Sequence, residues 1–237
     1  MKKAIIIGAT SGIGKSLAEL LASNGYQVGI AGRRVELLEE MRLRLPNQPL
    51  ICQIDVADTE NAIASFKGLA EEMGEVDLVV ISSGVDYVSR DLPWEKDKMI
   101  IQINVMGFTA IANTAFNYFL EQGRGHLVGI SSVTAVRGGL VTAYNASKAY
   151  VSNYLEGLQF RAYKSKKPIT VTDIKPGYVD TPMAEGKHLF WAASPEKTAQ
   201  QILGVIDKKK DHAYVTKRWR LVAWVVKMMP RKLYYKS

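Results

Sequence analysis

The chain has 237 residues, 47% apolar and 23% charged, which is enough to bury one substantial core and too apolar for a disordered segment. Cys52 is the only cysteine, which excludes an internal disulfide framework and agrees with a reducing compartment. The net charge of +8 is uneven: residues 1–207 carry 21 Lys and Arg against 22 Asp and Glu (net −1), and residues 208–237 carry ten against Asp211 alone (net +9). Any anionic partner is therefore to be sought at the tail. His126, His188 and His212 lack metal-ligand spacing, and no metal is expected. The N-terminus passes from Met1-Lys2-Lys3 through four apolar residues into glycine. Neither a signal peptide nor a bilayer-spanning stretch is expected, and the default location is cytoplasmic.

In chain order, a strand over 4–7 enters Gly8-Ala9-Thr10-Ser11-Gly12-Ile13-Gly14 and a helix over 13–23. Glycines at such a turn permit close backbone approach to a pyrophosphate resting on the helix N-terminus. The spacing is G-x-x-x-G-x-G, not the common G-x-G-x-x-G, and a glycine turn can also be purely steric. A second strand over 28–31 ends at Gly32-Arg33-Arg34 before a helix over 35–45. A site for NAD usually places a carboxylate here for the ribose 2′-hydroxyl. Two arginines instead suit a 2′-phosphate, with Arg33 the first choice and Arg34 a second contact. One of them is expected simply to start a solvated helix.

Further strands are read at 50–54, 77–81, 127–130 and 169–174, and further helices at 59–73, 95–120 and 143–163. Unbroken Val/Ile runs suit strands covered on both faces. Their alternation with helices predicts an α/β fold, a doubly wound (Rossmann-type) parallel sheet with helices on both faces. Without a linker or repeat, residues 1–207 read as one catalytic domain, with 208–237 a basic apolar extension packed on or appended to it.

Tyr144-Asn145-Ala146-Ser147-Lys148 opens the helix over 143–163, and a spacing of four puts phenol and ammonium on one face. A neighbouring ammonium favours the phenolate, which would let Tyr144 exchange a proton with a carbonyl or alcohol. Ser131-Ser132 closes the strand before it, so a hydroxyl shares the same sheet edge. Tyr-x-x-x-Lys alone is commonly a helix surface pair. Its weight comes from the serine and the glycine turn beside it.

With these motifs the chain resembles the short-chain dehydrogenase/reductase family over nearly its whole length. The likeness rests on Gly8, Gly12 and Gly14, on Asp55-Val56, Asn104 and Ser132, on Tyr144 with Lys148, and on Pro176-Gly177-Tyr178-Val179-Asp180-Thr181. The resemblance implies a hydride-transferring enzyme that uses a nicotinamide dinucleotide on a small-molecule carbonyl or alcohol, and Arg33 with the missing carboxylate makes NADP(H) the expected cofactor. In that family's pattern Gly8, Ser11, Gly12, Ile13 and Gly14 hold pyrophosphate and ribose, and Asp55 and Val56 meet the adenine. Ser132 binds the substrate oxygen while Tyr144 exchanges its proton. Lys148 binds the nicotinamide ribose and lowers the Tyr144 pKa, and Asn104 holds a relay water. Pro176, Gly177, Val179 and Thr181 position the carboxamide. A homodimer or homotetramer is implied as well.

Three places depart from the family's pattern. Ile7 replaces a threonine that braces the turn. Ile81-Ser82-Ser83-Gly84 replaces Asn-Asn-Ala-Gly, leaving Gly84 as the cofactor contact and Ser82 and Ser83 as weaker ones. The Ser132–Tyr144 interval is one residue short, so that either the loop is tightened or Ser131 shares the role.

Residues 182–194, with His188, Leu189, Phe190 and Trp191, resemble a loop that covers a lipophilic substrate. The tail 217–237 joins an apolar stretch to basic flanks and reads as interfacial. The competing reading is a helix buried on another subunit or over the substrate mouth. Nucleic acid is not expected, since no groove-reading motif accompanies the charge. A non-catalytic dinucleotide-binding regulator and a membrane-surface scaffold remain as alternatives to the enzyme.

Overall fold

The computed structural model describes residues 1–87, 91–184 and 190–236. Seven strands lie in one parallel sheet in the order β3-β2-β1-β4-β5-β6-β7. They are β1 (Lys3–Ile7), β2 (Gln27–Gly32), β3 (Leu50–Gln53), β4 (Leu78–Ile81), β5 (Gly125–Ile130), β6 (Ile169–Pro176) and β7 (His212–Val215). The helices between them are α1 (Gly12–Ser23), α2 (Val35–Arg44), α3 (Thr59–Met73), α4 (Trp94–Ile100), α5 (Phe108–Gln122), α6 (Thr142–Ser165) and α7 (Pro195–Asp207). Two short helices, α8 (Trp219–Met228) and α9 (Arg231–Tyr234), end the chain.

The apolar strands explain the layering, because alternate side chains serve opposite faces. Ile5, Ile7, Val79, Ile81, Leu127 and Val171 pack into a core with Phe66, Phe108, Phe119 and Leu155 from α3, α5 and α6. Ala4, Ile6, Val28, Ile30, Val80, Val128 and Ile174 pack with Leu17, Leu21, Leu38 and Ile202 from α1, α2 and α7. The central strands have no polar face to spare, which is why the sequence shows continuous runs there, whereas β6 carries Thr170 and Thr172 on one face.

The expected helix over 95–120 is helical from Trp94 to Gln122 but widens into a π-helical turn at Ile101–Gly107. By length and composition this helix could cross a bilayer, contrary to the expectation that no stretch could. Here it supplies Phe108, Ile111, Ala112, Ala115, Phe116 and Phe119 to the core.

Two elements were not anticipated. Ser194 caps α7 by accepting from Lys197 N at 3.2 Å, with Pro195 in the first turn. Strand β7 pairs with β6 from His212 to Val215. The segment 208–237 therefore begins inside the sheet, and only the chain after β7 lies beyond it.

Candidate active site

Strand order reverses between β1 and β4. Helices leave the two sides of this point toward opposite faces, so the loops after these strands part and open a crevice. The cleft there has a volume of about 430 Å³. Its walls include Gly8, Ser11, Gly12, Ile13, Arg33, Arg34, Asp55, Val56, Ser82, Ser83, Gly84, Ser132, Tyr144, Lys148, Pro176, Gly177, Val179 and Thr181. Of the residues singled out from the sequence, Gly14 and Asn104 stand behind this wall.

Gly14 is needed for close packing, since a Cβ there would lie 2.2 Å from the Gly8 carbonyl oxygen. Gly8 has φ +86°, and a Cβ on it would lie 2.6 Å from Ser83 N. Ser82 N–H donates to Ile7 O at 2.8 Å, joining the ends of β1 and β4. Ile7 itself is buried. Gly12 faces Thr181 across the cleft, where a Cβ would come within 3.0 Å of its methyl group.

At the end of β2, Arg34 Nη2 donates to Thr10 Oγ1 at 2.7 Å and to Ser11 Oγ at 3.0 Å. The bracing that the threonine at position 7 would provide is thus replaced, in part, from the neighbouring strand. Thr10 was not anticipated. Both arginines are exposed, and among the described residues neither pairs with a carboxylate. Asp55 is occupied by Ala57 N–H at 3.0 Å.

Ser132 caps a 3₁₀ turn at Val133–Val136, its Oγ accepting from Thr134 N (3.1 Å) and Thr134 Oγ1 (2.9 Å). This turn absorbs the shortened interval to Tyr144. With two donors supplied, the Ser132 proton is left to give, and its hydroxyl acts on the Tyr144 phenol in the direction that favours the phenolate. Ser131 is committed elsewhere: it is buried and donates to Asp173 Oδ1 and to Ile174 O. Asp173 also accepts from Ser152 Oγ at 2.6 Å and from Lys175 Nζ.

The expected lowering of the Tyr144 pKa by Lys148 is not what the side chains produce. Burial, followed by Asp86, pushes Tyr144 up to about 12, against a smaller opposite effect from Ser132. Burial brings Lys148 down to about 8, with Asp173 and Asp86 acting against the fall. The Lys148 ammonium donates to Ile130 O at 2.9 Å and lies 5.7 Å from the Tyr144 ring centroid. Asp86, a cleft residue that no motif marked, thus acts on both members of the pair.

Asn104 sits buried in the π-helical turn. Its amide accepts from Val85 N and donates to Val85 O, both at 2.8 Å, and donates to Ser147 Oγ at 3.1 Å. It therefore ties the chain after β4 to the helix that carries Lys148. A Cβ on Gly84 would lie 3.3 Å from Lys148 Nζ and 3.4 Å from Asn104 Oδ1, so the three are neighbours.

The mouth is apolar. Val141, Tyr178, Pro182 and Met183 line it, and Phe190 stacks on Trp191 nearby in sequence, with ring centroids 4.4 Å apart. His188 and Leu189 lie outside the described residues. The tail closes the site from behind. Trp219 packs edge-on to Tyr178 at 5.2 Å and fills the space a Gly177 Cβ would need. Arg137 donates to Val226 O at 2.9 Å and to Met229 O, and stands 4.2 Å from the Tyr234 ring centroid. Tyr234 in turn donates to Gly138 O at 2.7 Å.

A parallel sheet in this order, with a serine, tyrosine and lysine around its switch point, defines a dinucleotide-dependent oxidoreductase fold. The short chain dehydrogenase family model matches residues 2–189. An uncharacterized oxidoreductase of Myxococcus xanthus is 36% identical over 186 residues, covering 75% of this chain and 72% of that protein. A relative of the same description from Mycobacterium tuberculosis is 34% identical over 192 residues, covering 77% and 75%. A short-chain dehydrogenase from Sphingobium yanoikuyae, solved with NADPH, shares the fold with a TM-score of 0.83 at 20% identity, covering 95% of this chain and 93% of that one. The chain belongs to the short-chain dehydrogenase family. It is an oxidoreductase that works with a nicotinamide dinucleotide.

Proposed function

We propose that this enzyme is an NADP(H)-dependent reductase of lipophilic carbonyl compounds, with Tyr144 as the acid that protonates the substrate oxygen. The observation that carries the reading is that Tyr144 shares the cleft wall with Ser132, a serine whose two acceptor positions are already filled by Thr134. That arrangement leaves the Ser132 and Tyr144 hydroxyls, in one cleft wall, each with a proton to give. A carbonyl oxygen placed there gains a hydrogen bond from Ser132 and a proton from Tyr144 as negative charge develops.

The residues of the cleft fit the dinucleotide. Gly8 and Gly12 bring bare backbone to the cleft, and among the described residues the buried Ser83 hydroxyl has no hydrogen-bond partner and Arg33 and Arg34 meet no carboxylate. Gly8, Ser11, Gly12 and Ile13 would hold the pyrophosphate, with Gly14 packing the turn. Arg33 and Arg34 would hold a 2′-phosphate, and Asp55 and Val56 the adenine. Gly84, Tyr144, Lys148, Pro176, Gly177, Val179 and Thr181 would surround the nicotinamide half. When bound, the dinucleotide supplies the hydride. Lys148 returns a proton toward Tyr144, and Asn104 keeps Lys148 and the turn at Gly84 in register. The apolar mouth favours a lipophilic substrate. Exposed Ile101, Met106, Phe160 and Tyr163 on the long helices support a homo-oligomer.

NADPH oxidation across a panel of lipophilic ketones and aldehydes, with NADH and a Tyr144→Phe variant in parallel, tests the proposal. Turnover should favour NADPH and vanish in Tyr144→Phe while NADPH binding persists. Retained turnover in that variant would remove Tyr144 from the chemistry.

A further inference from the structure

Helix α8 is amphipathic in an unusual direction. Its inner side is committed: Trp219 and Ala223 are buried, and the Val226 carbonyl, with that of Met229 just beyond the helix, accepts from Arg137. Its outer side carries Leu221, Trp224, Val225 and Met228, which are 67%, 62%, 42% and 66% exposed. Their spacing of i, i+3, i+4 and i+7 places all four on one stripe. Leu233 and Tyr235 continue the exposed apolar surface beyond α8. A contiguous patch of this kind marks a contact surface.

The charge around the stripe identifies the occupant. Lys217, Arg218, Arg220, Lys227, Arg231, Lys232 and Lys236 surround it, and no acidic residue occurs between 217 and 236. Among the described residues none of the seven pairs with a carboxylate. A second copy seated on this face would bring the same seven cations against them. A surface offering hydrocarbon and negative charge together satisfies both halves of the patch. Ten residues of helix are far too few to span a bilayer, so α8 would lie in the plane of the interface.

We propose that α8 and α9 form a docking face for an anionic lipid bilayer, with Leu221, Trp224, Val225 and Met228 entering the acyl boundary. The face adjoins the catalytic cleft. Arg218 donates to the Trp191 carbonyl at 2.6 Å and lies 5.0 Å from that ring's centroid. Tyr234 holds Gly138, close in sequence to the exposed Leu140 and the cleft residue Val141. Docking therefore brings the cleft mouth to the lipid surface. Only this last step, delivery of substrate from the bilayer, rests on the lipophilic-substrate reading.

The test is flotation of the full chain with vesicles of phosphatidylcholine alone and of phosphatidylcholine mixed with phosphatidylglycerol. Leu221→Ser/Trp224→Ser and Arg220→Glu/Lys227→Glu serve as double variants. The expected result is binding to the anionic vesicles, salt-sensitive, and weakened at least about tenfold by the charge reversal, given what a cation near such a surface contributes. The apolar double variant should weaken it similarly, while turnover of a water-soluble carbonyl stays unchanged and so reports an intact fold. Absent binding, or binding equal on neutral vesicles, overturns the proposal. So does a concentration-dependent dimer that Leu221→Ser/Trp224→Ser dissolves without any vesicle binding, which would assign the face to a second copy. Vesicle binding is read without turnover, so its failure leaves the reductase reading standing.

Discussion

Arg33 and Arg34 follow the same strand but are placed differently, and that difference predicts different consequences when each is removed. Arg34 donates to Thr10 and Ser11, so it supports a turn that either nicotinamide dinucleotide would use. Among the described residues the Arg33 side chain makes no such bond, while its backbone carbonyl accepts from Gln53 Nε2 at 3.2 Å. A hydrogen bond to a charged partner is worth about 1.5–3 kcal/mol, or about 10-fold to 100-fold in affinity. Solvent exposure places Arg33 at the weaker end, about tenfold. Arg33→Ala should therefore raise the dissociation constant for NADPH about tenfold and leave that for NADH unchanged. Arg34→Ala should weaken both cofactors, NADPH more. Calorimetric titration of each variant with each cofactor separates these outcomes, and salt should erode the Arg33 effect. Equal losses for NADH and NADPH in Arg33→Ala would refute the assignment of that side chain to a 2′-phosphate.

Three further outcomes are expected. With its pKa pushed up to about 12, Tyr144 is protonated at neutral pH, so carbonyl reduction should be flat there. Alcohol oxidation should climb up to about tenfold per pH unit, because it needs the phenolate; an oxidation rate independent of pH would contradict the burial argument. Gly177→Ala would set a methyl group 2.1 Å from the Trp219 indole nitrogen. Overpacking of this kind costs about 1–3 kcal/mol, and a denaturation midpoint equal to that of the parent protein would show that the tail yields freely. His126 is buried and donates to Thr172 Oγ1 at 2.7 Å, since the threonine proton goes to Lys210 O. Burial, aided by Lys209, lowers its pKa from 6.5 to about 4. The unfolded chain then takes up the proton first, so stability is full above pH 6.5 and falls toward pH 4. The loss is about 1.4 kcal/mol per pH unit, and urea melts of the protein and of His126→Gln should diverge over that window.

The alternating strands and helices through β6 were legible because the inner strands are apolar on both faces, a requirement imposed by two helical layers. The sheet edge was not. β7 is four residues flanked by a lysine run and a basic tail, so the charge masked a strand whose partner is specified by β6. α7 announced itself with Ser194, Pro195 and the spacing of Ala199, Ile202 and Ile206, signals available before any coordinates. The π-helical turn carries no local signature, since Asn104 is held by backbone groups of Val85, 19 residues away. In the site, Gly8, Tyr144 and Lys148 were readable by spacing, whereas Ser132 was chosen over Ser131 only by resemblance to the family's pattern. Asp86, Thr10 and Thr134 were not, because what they do depends on neighbours brought by other strands and loops. The Tyr144 acidity was misjudged for the same reason: spacing places an ammonium nearby but says nothing of how much water is lost.

The loop between Ser132 and Tyr144 is held by groups at the far end of the chain. Arg137 reaches carbonyls 89 and 92 residues downstream, and Gly138 receives a hydroxyl 96 residues downstream. A polypeptide emerging from the ribosome can assemble β1 through β6 and their helices while these anchors are still unmade. The loop that joins Ser132 to Tyr144 then waits on a segment translated after all seven strands. Chains stopped early would carry the dinucleotide cradle without a fixed catalytic loop. A proteolytic cut between β7 and α8 that releases α8 and α9 would return the protein to that state.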